Sequence, residues 1–220
     1  MTGFVRGALT VTAGLALLAT SAMAGVPSPA NSVVDDIMVG SVKGTALKGG
    51  GFGTAVLGVG YKVEVKDIGG LPIAGAVVTV NFSTASGDVG TSGAVLVNPY
   101  DVQIAGTTVD CPTKTLTKVA DGSGIAIFTP IFGGAENTSS IEVRGNGVLL
   151  KTIIARGVDA TGDGTISSAD LSVLQQNVFG PGFPAGQESD FTLNGGISSD
   201  DLSILQGELF PAAPVRTPCV

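Results

Sequence analysis

A repeat near the carboxyl end is the feature of this sequence that most limits what the chain can fold into. The stretch from Asp159 to Gln175 aligns with the stretch from Asp190 to Gln206 at a constant offset of 31 residues, the distance from position 159 to position 190. Each copy begins with a run rich in Asp, Thr, Ser and Gly and continues into a segment whose apolar residues recur every three or four positions. That spacing is typical of an amphipathic helix. The repeat therefore predicts two similar loop–helix units in succession.

The loop of each copy has the oxygen-bearing pattern of an EF-hand-like Ca²⁺ site. Oxygen side chains occupy positions 1, 3, 5, 9 and 12, Gly occupies position 6, and an apolar residue occupies position 8. Ca²⁺ takes roughly six to eight oxygen ligands at about 2.3–2.6 Å, and position 7 of such a loop donates a backbone carbonyl. The predicted ligands are Asp159, Thr161, Asp163, Thr165, Ser167 and Asp170 in the first loop, and Asp190, Thr192, Asn194, Gly196, Ser198 and Asp201 in the second. The alternative is that these acids form turns and helix caps without a metal.

The two predicted sites differ in charge. Position 5 is Asp163 in the first loop and Asn194 in the second, so the second loop has two Asp ligands where the first has three. Asp170 and Asp201 lie where a helix should begin, and the first turn of a helix favours carboxylates. We expect Ca²⁺ to be the cofactor of both loops, with the second site the weaker.

Both predicted helices carry an apolar stripe. The stripes consist of Leu171, Leu174 and Val178 in the first copy and of Leu202, Leu205 and Leu209 in the second. We expect the two stripes to pack against each other. Residues 180–184 read Gly-Pro-Gly-Phe-Pro and should end the first helix.

Charge and pattern both change near Arg156. From residue 157 to residue 210 there are eight acidic residues and no basic residue. The chain before Arg156 is rich in Val and alternates apolar and polar residues, which is typical of β-strands. Strands are predicted at 33–39, 61–66, 76–82, 102–105, 115–119, 125–128, 141–144 and 148–155. Short strands of this kind, separated by Gly- and Asp-containing turns, indicate a β-sandwich over residues 25–156. The helical pair follows over 157–210, and a tail over 211–220.

The first 24 residues read as a secretory signal peptide. Arg6 gives a positive start, an apolar stretch follows over 8–19, and the small residues Ala22 and Ala24 precede a cleavage point. A membrane anchor is the alternative, but crossing a bilayer takes about 20 apolar residues. We expect an exported chain that begins at Gly25, is found outside the cell or on its surface, and has no membrane-spanning segment.

The two cysteines, Cys111 and Cys219, lie far apart in the sequence. Export makes a disulfide between them an expectation, because disulfides persist in oxidising compartments. Two independent thiols or an intermolecular bond are the alternatives.

Composition excludes several functions. The chain has no His, which rules out Ser-His-Asp and Cys-His catalysis, and its formal net charge of −7 leaves no basic surface for nucleic acid. With no Trp and two Tyr, an aromatic platform for sugars or bases is not expected. The neighbouring acids Asp35 and Asp36 would point to opposite faces of a strand and could not act together on one substrate. We expect no enzyme activity, no small-molecule substrate and no nucleic-acid partner.

Two motifs before Arg156 follow a family pattern. Residues 71–75 read Leu-Pro-Ile-Ala-Gly and lead into the alternating stretch 76–82, and residues 117–128 read Thr-Lys-Val-Ala-Asp-Gly-Ser-Gly-Ile-Ala-Ile-Phe. These motifs resemble bacterial immunoglobulin-like repeats of the invasin and intimin type. The resemblance implies an immunoglobulin-like sandwich that serves as a spacer, a stalk or an adhesive module.

The duplicated loop–helix pattern over 158–210, with Asp at position 12, resembles the type I dockerin family. The resemblance implies two Ca²⁺ sites and, in many members, attachment to a cohesin module. Attachment would use positions 10 and 11 of each loop and the helix that follows. In this chain positions 10 and 11 are Ser168 and Ala169 in the first loop and Ser199 and Asp200 in the second. The helix residues further along are Gln175, Gln176 and Gln206.

Two functions remain open at this stage. The chain could be a secreted, non-catalytic Ca²⁺-binding protein that attaches to a cohesin or another extracellular protein. It could instead be a structural surface or matrix protein, in which the Ca²⁺ repeats only stabilise the carboxyl end and the sandwich performs the adhesion.

Overall fold

In the computed structural model the chain is mainly β-sheet, with two short helices near the carboxyl end. The structure describes residues 25–34, 37–40, 61–84, 88–90, 93–95, 98–99, 106–128, 132–179, 189–191, 196–209, 217 and 219. Several predictions lie outside these residues: the signal peptide over 1–24, Asp35 and Asp36, the strand at 102–105, the helix breaker at 180–184, and the second-loop ligands Thr192 and Asn194. The prediction of a mainly β chain is confirmed.

The described strands follow one another from the amino end. They are β1 (Val33–Val34), β2 (Ile37–Gly40), β3 (Tyr61–Glu64), β4 (Val77–Asn81), β5 (Asp88–Gly90), β6 (Gly93–Val95), β7 (Asn98–Pro99), β8 (Thr108–Asp110), β9 (Thr115–Val119), β10 (Ile125–Phe128), β11 (Phe132–Gly133), β12 (Ala135–Gly145) and β13 (Val148–Gly157). A short 3-10 helix (Phe82–Thr84) follows β4. We call residues 25–157 the β part.

The larger sheet of the described residues has six strands in the order β2-β13-β12-β4-β9-β8, and a second sheet has three in the order β1-β3-β10. Two further pairs join β5 to β6 and β7 to β11. Within the six-stranded sheet β2 runs parallel to β13, while the other neighbours pair antiparallel.

One hydrophobic cluster is shared by the six-stranded and three-stranded sheets. On β3, Tyr61 and Val63 are buried while Lys62 and Glu64 are partly exposed, which is the alternation of a strand with one face on a core. The other sheet supplies buried side chains to the same cluster, among them Val78, Val80, Leu116, Ile141, Val143 and Ile153. The period-two pattern therefore placed these residues correctly.

The predicted strands at 115–119 and 125–128 match β9 and β10 residue for residue. The prediction at 141–144 was too short, because β12 begins at Ala135 and continues to Gly145. Strands β5, β6, β7, β8 and β11 were not predicted, since two or three residues are too few to show a period.

Two turns of the β part are built alike on an Asp. The Oδ1 of Asp67 accepts hydrogen bonds from the backbone N–H groups two and four residues further on, at 2.8 and 2.9 Å. The Oδ1 of Asp121 accepts from the equivalent groups at 2.8 and 3.0 Å. In each turn the third residue after the Asp is a glycine with positive φ, Gly70 at 77° and Gly124 at 72°. The Asp side chain satisfies turn N–H groups that the strands leave unpaired.

Gly124→Ala is expected to be strongly destabilising. A Cβ at this position would lie 2.7 Å from the carbonyl oxygen of Val65 and 3.0 Å from the backbone nitrogen of Ile73, at a φ that alanine disfavours. We expect the free energy of unfolding to fall by about 3 kcal/mol or more, measured by denaturant titration. Gly147→Ala is the matched control, because Gly147 has a φ of 82° with nothing within 4 Å. It should lose about 1 kcal/mol, and equal losses in the two variants would contradict the explanation.

The two helices are α1 (Ser168–Phe179) and α2 (Ser199–Leu209), so the prediction of a helix after each loop is confirmed. We call residues 158–209 the helical part. Neither described helix is long and apolar enough to cross a membrane. A second hydrophobic cluster lies here, formed by Val158, Leu174, Phe191, Ile204 and Leu205, with Ile166, Leu171, Ile197, Leu202 and Leu209 packed against it. The apolar stripes of the two helices share this cluster, as expected.

The first apolar stripe differs from its prediction at its last position only. Val178, expected inside, is 43% exposed, whereas Asn177 is buried. The Nδ2 of Asn177 donates a hydrogen bond to the Oγ of Ser189 at 2.8 Å. A buried amide is tolerated when it has such a partner, and the partner is visible only in three dimensions.

A disulfide joins Cys111, which follows β8, to Cys219 near the carboxyl terminus. The backbone N–H of Cys219 also donates to the carbonyl oxygen of Pro99 at 2.8 Å. Cys219, within the predicted tail over 211–220, is thus bonded to the β part, and the disulfide is the one that the sequence analysis expected.

Candidate metal centre

Asp159, at position 1 of the first loop, is fully buried just after β13 ends. Its Oδ1 accepts a hydrogen bond from the N–H of Gly162 at 2.8 Å, and its Oδ2 accepts from the N–H of Gly164 at 2.7 Å. Both glycines have positive φ, 69° and 87°, which lets the backbone curl around the carboxylate. Gly164 therefore makes the sharp turn expected at position 6.

Thr161 brings the two ends of the first loop together. Its Oγ1 lies 3.1 Å from the Oδ1 of Asp159 and 3.1 Å from the Oδ1 of Asp170. The backbone N–H of Thr161 donates to the same oxygen of Asp170 at 3.0 Å. Oxygen atoms from positions 1, 3 and 12 are thus gathered at one point, and such oxygen atoms are the ligands that a hard cation takes.

The carboxylate of Asp163, at position 5, does not join the oxygen atoms of Asp159, Thr161 and Asp170. It is exposed, and its Oδ1 accepts hydrogen bonds from the backbone N–H and the hydroxyl of Thr165. In the part of the chain that the structure describes, no three Asp, Glu, Cys or His side chains converge as a metal group. The oxygen atoms that meet in the first loop therefore belong to two carboxylates, those of Asp159 and Asp170, and to the hydroxyl of Thr161.

Asp170 and Asp201 cap the helices that they begin. An Oδ2 of Asp170 accepts from the N–H of Ser167 at 2.8 Å, and an Oδ2 of Asp201 accepts from the N–H of Ser198 at 2.7 Å. The Oγ of Ser167 accepts in return from the N–H of Ala169 at 3.1 Å. This reciprocal arrangement is a capping box, and it repeats at the same positions of both copies. Both carboxylates are buried, with exposures of 1% and 0%.

The second loop is described only in part. Asp190, Gly196, Ser198 and Asp201 lie within the described residues, while Thr192 and Asn194 lie outside them. Asp190, at position 1, is buried like Asp159 in the first loop. The two position-1 acids therefore have equivalent burial.

Asp190 has a cationic neighbour that the sequence analysis missed. The Nη1 of Arg156 lies 3.1 Å from the Oδ2 of Asp190 and donates to the backbone oxygen of Asp190 at 2.7 Å. The eight acids of the segment 157–210 have no basic residue within it, but Arg156 precedes the segment by one position. In the sequence, the position of Arg156 at the edge of the acidic segment is the feature that could have indicated its pairing with one of these acids.

The seven residues expected at a partner surface are exposed: Ser168, Ala169, Gln175, Gln176, Ser199, Asp200 and Gln206. Ser172 and Ser203, one helical turn after the caps, are exposed as well, and each hydroxyl donates to the carbonyl oxygen four residues back. These residues give the two helices similar outward faces of Ser and Gln.

Comparisons of the chain with protein-family models, with curated proteins and with solved structures gave no match. The functional assignment therefore depends on the residues of the site and on their geometry.

Proposed function

We propose that the protein is an exported, non-catalytic Ca²⁺-binding protein whose helical part is a dockerin-like, EF-hand-like attachment module. Its partner would be a cohesin-type module or another extracellular protein. The β part would serve as an immunoglobulin-like sandwich that spaces or presents the module, and the protein would act outside the cell or on its surface.

The observation that carries this proposal is the repetition of one buried arrangement. In both copies an Asp at position 12 caps a helix through the Ser at position 9, and an Asp at position 1 is buried. In the first copy a hydroxyl at position 3 connects these two acids. Each buried acid at position 1 lies where an EF-hand-like loop has its first Ca²⁺ ligand, and carboxylate oxygen atoms are ligands that Ca²⁺ takes.

When bound, Ca²⁺ would supply positive charge that offsets the crowded carboxylates. In the first loop Asp159, Thr161 and Asp170 would hold it, with Asp163, the carbonyl of Thr165, and Ser167 completing the shell. In the second loop Asp190, Ser198 and Asp201 would do so with Thr192, Asn194 and the carbonyl of Gly196. The second loop has fewer carboxylate ligands, so its affinity should be lower.

A structural role is the second candidate, and one observation favours it. The helical part is bonded to the β part at three places. At its start the N–H of Gly134 donates to the carbonyl oxygen of Asp159 at 2.8 Å, in its middle Arg156 pairs with Asp190, and after its end the Cys111–Cys219 disulfide follows. Such bonding suits a protein in which the Ca²⁺ repeats only stabilise the carboxyl end of a surface or matrix adhesin.

Partner binding separates the two candidates. Residues 25–220 would be titrated with Ca²⁺ by calorimetry and then, in Ca²⁺, with a panel of cohesin-type modules. If the helices form the attachment face, the double variant Gln175→Ala/Gln206→Ala should weaken partner binding about tenfold and leave Ca²⁺ binding unchanged. Thr152→Ala, at an exposed position of β13, is the control and should change neither. Ca²⁺ binding without capture of any panel member would favour the structural candidate, and no heat with Ca²⁺ would refute both.

A further inference from the structure

The buried pair of Arg156 and Asp190 joins the two parts of the protein. Arg156 lies on β13, where its backbone pairs with Ala135 of β12 and with Met38 of β2. Its position is therefore fixed by the interior of the six-stranded sheet. From there the guanidinium reaches Asp190, with the two side chains only 8% and 4% exposed.

The guanidinium contacts the first ligand position of the second loop twice. The same Nη1 donates to the backbone oxygen of Asp190 at 2.7 Å and lies 3.1 Å from its Oδ2. Charge-assisted hydrogen bonds of this kind are the strong ones, and burial protects them from screening by salt. The carboxylate of Asp190 is therefore held in place by a cation that belongs to the chain.

The charges of the two loops differ sharply once Arg156 is counted. The first loop has three ligand carboxylates, Asp159, Asp163 and Asp170, for a ligand charge of −3. The second has Asp190 and Asp201 with the guanidinium beside them, for a net charge of −1. A divalent cation entering the second loop would meet less attraction and a like charge on its first ligand.

We infer that Arg156 is the built-in cation of the second loop: it holds Asp190 in place without Ca²⁺ and lowers the affinity of that loop for Ca²⁺. This inference rests on the proposed Ca²⁺ function for its second half only. The first half concerns a contact within the chain and is testable without the metal. Arg156 is a positioning residue, since it acts on the site through Asp190.

The test with metal uses Arg156→Gln in residues 25–220 and Ca²⁺ calorimetry. The weaker of the two binding steps should become about tenfold tighter, because the competing charge is gone. Adding Asp201→Asn should remove that step, which assigns it to the second loop. Arg144→Gln is the matched control, because Arg144 pairs with Glu142 within the β part at 2.9 Å. It should leave both steps unchanged, and equal affinities in the two Arg variants would overturn the inference.

The test without metal is thermal unfolding in EGTA, followed by helical circular dichroism. Arg156→Gln and Asp190→Asn should each lower the midpoint of the helical signal by about 5 °C relative to Arg144→Gln. The double variant should lose no more than the single ones, because it leaves no buried charge unpaired. Midpoints that match Arg144→Gln would overturn the inference. If no variant binds Ca²⁺, the proposed function fails, and this arm alone decides whether Arg156 holds the loop.

Discussion

Asp170→Asn is expected to abolish most of the stability that Ca²⁺ gives to the helical part. A ligand that binds only the folded form stabilises it by about 2.7 kcal/mol at a hundred times its dissociation constant. Asp170 supplies Oδ1 to the point where Thr161 and Asp159 meet, and asparagine there removes the negative charge. Because asparagine keeps one side-chain oxygen, the capping bond from Ser167 can persist. The NH2 group of asparagine cannot accept from the N–H of Thr161, so stability in EGTA should fall by the cost of one lost acceptor.

Asp170→Ala separates the capping role from the metal role. Alanine would leave the partly buried N–H groups of Thr161 and Ser167 without their acceptor, which costs up to about 1–3 kcal/mol for each. The alanine variant should therefore be less stable than the asparagine variant even in EGTA. Asp201→Asn should show the asparagine effect in the second loop, but smaller, because that loop has fewer carboxylate ligands.

Circular dichroism during thermal unfolding, with Ca²⁺ and with EGTA, measures both effects. The unchanged protein should lose its helical signal at a lower temperature in EGTA than in Ca²⁺. The near-ultraviolet signal of the β part should be lost at the same temperature in both conditions. A helical signal that EGTA leaves unchanged, together with no heat on Ca²⁺ titration, would mean that the acids serve only as caps and turns.

Loss of the Cys111–Cys219 disulfide is the second change with a large expected effect. The bond closes a loop with a sequence separation of 108 residues. On the chain-entropy model, opening a loop of that size costs about 4–5 kcal/mol of the free energy of unfolding. It would also release the carboxyl end from Pro99, whose carbonyl accepts from the N–H of Cys219. We expect the double variant Cys111→Ser/Cys219→Ser to unfold at a much lower denaturant concentration.

Reduction of the unchanged protein should reproduce the loss seen in the double variant, and the variant itself should be insensitive to reductant. Intact mass under non-reducing conditions should be lower than that of the reduced chain by two hydrogen atoms. Thiol labelling of both cysteines in unfolded, unreduced protein would refute the bond.

Much of the local structure could be predicted because local patterns carry it. Alternation placed Tyr61 and Val63 on the core, and helical spacing placed Leu174 and Leu205 together. Asp170 and Asp201 were expected to lie where the helices begin, and each does so as the partner of a Ser three positions earlier. Very short strands such as β7 were missed, since their pairing is decided by the strand opposite them.

The sequence by itself determined that two alike loops, each with an acid at positions 1 and 12, precede two helices in a chain that is otherwise mainly β. The tertiary structure decided which oxygen atoms meet, because Asp163 turns to Thr165 while Thr161 joins Asp159 to Asp170. It also decided that Arg156 faces Asp190 across 34 positions of the chain. Such contacts depend on how distant segments pack, and no periodic pattern along the chain records that packing.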